Sequence, residues 1–136
     1  MKMSLEMVQN LVSKAVEQAN SEFKRPICVA ICDTHGLLLA FMRVPGATLR
    51  SVPIAQRKAY TAAFMEMDTD AFAERLKREN VSANYFCDEQ LTGLPGGVIL
   101  KDSAGVIVGA AGVSGLTPQE DQSIASMMAA LSQTMT

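Results

Sequence analysis

Four basic side chains, Arg43, Arg50, Arg57 and Lys58, stand between Thr34 and Met65, a stretch without Asp or Glu. Positives without counter-charges suit a small anionic ligand such as a carboxylate. The next stretch, Glu66 to Gln90, holds seven acids against three bases. The alternative is therefore that the two segments pair across the fold or between subunits. Lys58 is the most distinctive of the four. On a helical wheel it shares a sector of roughly 100° with Ile54, Ala55, Ala62 and Met65, with Thr61 at the edge. A lysine inside an apolar stripe either snorkels to the rim or points into a pocket. In the second case Lys58→Met is expected to raise stability by up to about 1–2 kcal/mol while weakening anion binding. A snorkelling lysine would leave both unchanged. Schiff-base chemistry has no adjacent catalytic partner.

Glycine is the second signal. Gly93, Gly96 and Gly97 precede one strand, and Gly109, Gly112 and Gly115 punctuate the next. A strand this poor in side chains marks close approach by a ligand, a partner or another backbone, or else tight helix-on-sheet packing. It is neither a P-loop nor a dinucleotide fingerprint. The one histidine, His35, falls in a turn, where it is a poor platform for an axial haem ligand. No Ser-His-Asp set, nucleophile elbow or spaced carboxylate pair appears, so no catalytic residue is assigned. One His and three scattered Cys do not make a zinc site.

The elements that must position these residues read as follows. Ser4 caps a helix over 5–22, with Leu5, Val8, Leu11, Val12, Ala15, Val16 and Ala19 recurring at helical spacing. Strands over 27–33 and 37–43 flank the turn Asp33-Thr34-His35-Gly36. Strands over 97–102 and 106–113 flank Asp102-Ser103-Ala104-Gly105. Ser51 caps a helix running to about Met67, and Asp68-Thr69-Asp70 caps a helix over 70–79. In that helix Glu74–Arg78 and Arg75–Glu79 are spaced as ion pairs. Thr117, Pro118 and Glu120 form a capping box for the last helix. Two matching hairpins imply one antiparallel sheet with helices covering it.

With 136 residues, 49% hydrophobic and 19% charged, the chain suits a single domain, 1–136. A net charge of −2 disfavours nucleic-acid binding. No apolar run approaches the roughly 18 residues of a bilayer span. Acid and amide residues in the first ten positions are unlike a signal peptide. Cys28 and Cys32, about 13 Å apart on one strand, cannot pair. With Cys87 they fit a reducing cytoplasm.

Several blocks together carry a family resemblance. They are Val29-Ala30-Ile31-Cys32-Asp33-x-x-Gly36, Phe41-Met42-Arg43-Val44-Pro45-Gly46-Ala47, Ser51, Ala55, Lys58-Ala59-x-Thr61-Ala62 and Gly96-Gly97. The run Val108-Gly109-Ala110-Ala111-Gly112-Val113-Ser114-Gly115, followed by Gln119-Glu120-Asp121, completes the set. Over nearly its whole length the chain resembles the GlcG/HbpS family. That family includes the C-terminal domain of PduO-type corrinoid adenosyltransferases and proteins of diol, glycerol and glycolate operons. The resemblance implies a profilin-like three-layer α/β/α fold, with an antiparallel sheet of about five strands and helices on both faces. It also implies homo-oligomers from dimer to octamer. Some members bind haem, through a His or an alternative oxygen ligand; here the only His, His35, lies in a turn. The shared pocket it implies comprises Arg43, Gly46, Ser51, Lys58, Thr61, Gly96 and Gly97. The expected function is a small cytoplasmic, oligomeric ligand-binding or accessory protein of a small-molecule pathway. The alternatives are a haem-handling or cofactor-maintenance enzyme using Lys58 or Arg43, and an assembly module. The Gly-rich strand and the Met-rich last helix are the surfaces expected to meet a second copy.

Overall fold

Ser4 accepts a hydrogen bond from the Met7 amide at 3.1 Å and starts α1 (Leu5–Phe23), which presents Leu11, Ala15 and Ala19 inward. The computed structural model describes residues 2–135. After α1 come β1 (Cys28–Cys32), β2 (Leu38–Arg43), α2 (Ser51–Met65), α3 (Thr69–Glu79) and a 3-10 turn over Ala83–Phe86. β3 (Gly97–Lys101), β4 (Ile107–Ser114) and α4 (Pro118–Thr134) complete the order. The two hairpin turns use one device. Asp33 Oδ1 accepts from the amides of His35 and Leu37, and Asp102 Oδ1 accepts from those of Ala104 and Val106. Gly36 and Gly105 then supply the left-handed φ of 81° and 83°.

The hairpins join through β1 and β4 into an antiparallel sheet of order β2-β1-β4-β3. It has four strands rather than about five. The segment 80–96 makes no strand because its polar side chains bond its own backbone: Asp88 takes the Gln90 amide and Thr92 takes the Leu94 amide. Both central strands are covered on two faces, and every residue of β1 is buried. One face carries α1 and α4 over Ile27, Val29, Ile31, Val98, Leu100 and Val113. The other carries α2 over Cys28, Ala30, Cys32 and Ala110.

The α2 face is built from small side chains, and that sets how closely the helix sits. Ala55, Ala59 and Ala62 meet a sheet stripped of bulk. A Cβ on Gly112 would fall on the Ala55 carbonyl oxygen and lie 2.6 Å from the Ala59 nitrogen. One on Gly97 would lie 2.5 Å from the Lys58 carbonyl oxygen. The glycines thus serve helix-on-sheet packing. This corrects one of the expected oligomer surfaces: β4 is a central strand buried within one subunit, whereas Met127 and Leu131 of α4, and Met135 at its C-cap, stay partly exposed.

Two capping expectations also change. Asp68 precedes α3 without bonding a helix amide; its carboxylate takes the outward Ile99 amide of β3 at 3.0 Å. Thr69 Oγ1 takes the Gly97 amide at 2.8 Å, so this sheet edge is closed by side chains. On α3, Arg75 pairs with Glu79 at 3.0 Å and stacks over Phe86, whereas Glu74–Arg78 is not among the ion pairs of the described residues.

Burial separates the thiols. Cys28 and Cys32 lie in the core, and Cys87 is exposed. Burial pushes the Cys28 thiol up and drives Cys32 to about 12. At pH 8 neither holds an appreciable thiolate fraction, and the thiolate is the reactive form. Titration with a disulfide reagent should therefore label one thiol quickly in the native protein and all three in denaturant. Fast labelling of more than one thiol would contradict this packing.

Candidate functional site

α4 begins with a complete capping box. Thr117 Oγ1 accepts from the Glu120 amide at 3.3 Å, and Glu120 Oε1 accepts from the Thr117 amide at 3.1 Å. That geometry turns the next residue inward. Asp121 falls on the face of Ile124, Ala125 and Met128 and is buried. Its Oδ1 accepts from the Leu116 amide at 3.0 Å, and its Oδ2 faces Lys58 Nζ at 3.0 Å. Lys58 Nζ also donates to the Val113 carbonyl at 2.8 Å. The lysine therefore neither snorkels nor ends unpaired. It crosses the glycine-thinned sheet end to an ion pair with α4.

The pair is nearly dry: Lys58 is 2% exposed and Asp121 3%. Burial pulls the Lys58 ammonium below its ordinary value and pushes the Asp121 carboxyl above its own, each effect opposed by the partner's charge. Above the pair lies a cavity of about 170 Å³, lined also by Arg50, Ser51, Ser114, Gly115 and Pro118. Three features give it chemistry. Lys58 uses two of its three N–H bonds, leaving one donor. The Ser114 hydroxyl, in a residue 4% exposed, has no intramolecular partner among the described residues. Arg50 forms no ion pair among them, and Lys58 and Asp121 cancel, so the cavity is net positive.

The expected residues divide. Ser51 and Lys58 line the cavity. Gly96 lies directly against Lys58, where a Cβ would stand 2.6 Å from Nζ, and its amide donates to Gln122 Oε1. Gly97 lies under the Lys58 carbonyl. Arg43, Gly46 and Thr61 do not line it. Arg43 donates to the Ala47 carbonyl at 3.2 Å, and Gly46 packs on Pro26 at φ 99°. Thr61 donates to the Arg57 carbonyl and accepts the Thr92 amide, holding the 91–94 loop. Ser51 does not cap α2. Its hydroxyl bonds Thr48 Oγ1 at 2.7 Å, and a turn at Thr48 and Leu49 already satisfies the first helix amides. The basic and acidic segments form no ion pair with each other among the described residues.

Two residues of the cavity escaped sequence reasoning. Asp121 had a readable signal: a carboxylate three, four and seven residues before Ile124, Ala125 and Met128 stands on a buried stripe. Ser114, at the end of an apolar strand, had none. His35 lies elsewhere, on a groove of about 320 Å³ at the first hairpin turn, with Met3, Leu39 and Val108 but also Lys2, Asp33 and Thr34.

A four-stranded antiparallel sheet between α1/α4 and α2, with a small polar cavity where α2 and α4 begin, defines a three-layer α/β protein. The family model of the haem degrading protein HbpS-like family matches residues 3–130, and the chain belongs to that family. It is 31% identical to the corrinoid adenosyltransferase PduO of Salmonella typhimurium over 127 residues, covering 90% of this chain. The chain spans only 37% of that relative's length. It is 32% identical to Protein GlcG of Escherichia coli K12 over 113 residues, 82% of this chain and 81% of GlcG. Among solved structures, a PduOC:heme complex superposes with a TM-score of 0.84 at 27% identity, covering 96% of this chain and 94% of that one. A double mutant of Streptomyces reticuli HbpS gives 0.85 at 29% identity, covering 96% and 87%.

Proposed function

We propose that the chain is a small-molecule-binding accessory protein, cytoplasmic and homo-oligomeric, whose ligand is a hydroxy-carboxylate of two or three carbons. The observation that carries this reading is the pairing, in one cavity, of a spare Lys58 N–H with the unpartnered Ser114 hydroxyl under the unneutralised Arg50. A carboxylate would take charge-assisted bonds from Lys58 and Arg50. A ligand hydroxyl would satisfy Ser114. At about 30 Å³ per water-sized group, the cavity suits roughly five or six non-hydrogen atoms. The resemblance to proteins of diol, glycerol and glycolate operons supports a pathway of that kind. Binding without turnover is favoured because the hydroxyls of Thr48 and Ser51 bond each other and Asp121 is fully engaged, leaving no activated nucleophile.

Thermal melts with glycolate, lactate, glycerate, glycerol and propanediol test this. Hydroxy-acids should raise Tm and the uncharged diols should not. Ser114→Ala should weaken binding by about 0.5–1.5 kcal/mol, the net worth of one hydrogen bond. A Tm unmoved by every acid, or a shift untouched by Ser114→Ala and Arg50→Ala, would remove the cavity from function.

Haem deserves the same test because the PduOC neighbour is a haem complex. A resident haem needs an axial ligand set over an apolar slot. Here the only histidine is exposed on a turn, and its groove mixes Met3, Leu39 and Val108 with Lys2, Asp33 and Thr34. These residues do not fit a haem within one subunit. Added haem should bind weakly; a tight one-to-one complex whose Soret band is lost in His35→Ala would contradict this.

A further inference from the structure

The two edges of the sheet are treated in opposite ways. The β3 edge is closed: Asp68 and Thr69 take the outward amides of Ile99 and Gly97, and Ser132 donates to the Lys101 carbonyl. The β2 edge is open. The Val44 amide donates to the Ile27 carbonyl, and antiparallel alternation then directs the backbone groups of Ala40 and Met42 toward β1. Those of Phe41 and Arg43 point away from the sheet. No side chain among the described residues bonds them. The strand carries no charge or proline from Leu37 to Met42; its guards are confined to its ends, a bulge at Leu39 and the charge of Arg43. Leu37, Leu38, Leu39 and Met42 are between 46% and 67% exposed.

We infer that β2 pairs antiparallel with β2 of a second copy, running the two sheets into one of eight strands. A strand is the occupant because the open groups are backbone donors and acceptors in strand geometry. A second copy is favoured because the strand complements itself. With Phe41 opposite Phe41 of the other copy, the two residues exchange both backbone bonds, and the aromatic rings become cross-strand neighbours. Arg43 then lies opposite Leu39, and Leu39 opposite Arg43. The only charges on the strand never face each other. Sliding the pair until Arg43 meets itself would place like charges in contact, so charge excludes that register. The contact is isologous and closes as a two-fold dimer, which larger assemblies can reuse.

This inference rests on the homo-oligomeric part of the function proposed above. Multi-angle light scattering and amide hydrogen exchange on the full chain test the two separately. Wild type should have a mass that is an even multiple of the 14.6 kDa chain. Leu39→Lys sets a positive charge opposite Arg43 and should halve the mass with an unchanged circular dichroism spectrum. Leu39→Glu sets an opposite charge there and should keep the wild-type mass. The Phe41 and Arg43 amides, unpaired within one subunit, should be protected in wild type and exchange at least roughly tenfold faster in Leu39→Lys. A monomeric wild type overturns both the oligomeric reading and this pairing. An oligomer whose mass ignores Leu39→Lys overturns the pairing alone. Should Leu39→Lys fail to fold, wild-type exchange decides: protected Phe41 and Arg43 amides uphold the pairing, and rapidly exchanging ones overturn it.

Discussion

Gly112→Ala should cost at least about 3 kcal/mol, a large part of the roughly 5–15 kcal/mol that holds an ordinary domain together. The added methyl would land on the Ala55 carbonyl oxygen and 2.6 Å from the Ala59 nitrogen. Both are helix backbone and cannot rotate aside. Relief requires α2 to lift from the sheet, which opens the contacts of Ala55, Ala59 and Ala62 and stretches the Lys58–Asp121 pair. Gly105→Ala is the control. It meets nothing within 4 Å and should lose only about 1–2 kcal/mol, from its left-handed φ of 83°. Urea denaturation of both variants measures the difference. Equal, small losses would mean that α2 does not sit as close as described.

Lys58→Met should cost about 3–5 kcal/mol at pH 7, because it strands the Asp121 carboxylate in the interior. This reverses the gain expected from a lysine strained in an apolar stripe. The sign changes because the ammonium has a partner 3.0 Å away. The loss should also depend on pH. Burial already raises Asp121, and removing the lysine takes away the charge that opposed the rise. A carboxyl with a raised folded pKa binds more protons in the native state than in the unfolded one. Stability of the variant should therefore recover as pH falls through that raised value toward the ordinary value of about 3.9. Adding Asp121→Asn keeps an acceptor for the Leu116 amide and removes the stranded charge. The double variant should return to within about 1–2 kcal/mol of wild type at pH 7. Denaturation curves across pH 4–8 check all three proteins. A single variant as stable as wild type would show that the ion pair contributes nothing.

Local signals made most of the fold legible. Ser4, the two Asp-x-x-Gly turns and the Thr117–Glu120 box each act within a few residues, and each appears where the chain order indicates. Signals acting across the sheet were read less well. Asp68 has cap chemistry, but the Ile99 amide, 31 residues distant, claims its carboxylate; Ser51 differs in being claimed by a local neighbour, Thr48. Lys58 is legible as a polar residue on a buried stripe. Its partner lies 63 residues away, and only the fold brings the two stripes together. Arg43 looked equivalent to Arg50 as a charge in an acid-free stretch. It lies on the far side of the 44–50 connection, bound to the Ala47 carbonyl. Spacing along a chain cannot tell such positions apart.

The most direct measurement of the central claim is a 15N heteronuclear NMR titration of the assigned protein with glycolate. The cavity joins the end of β4 to the start of α4, so the largest shift changes should fall on the amides of Ser114, Gly115 and Leu116. Those of Arg50 and Ser51 should move with them, saturably, at one ligand per subunit. Ser114→Ala should weaken the response in step with the lost hydrogen bond. Changes centred on His35 and Leu39, or no saturable change at any amide, would contradict the assignment of the Lys58–Ser114 cavity as the binding site.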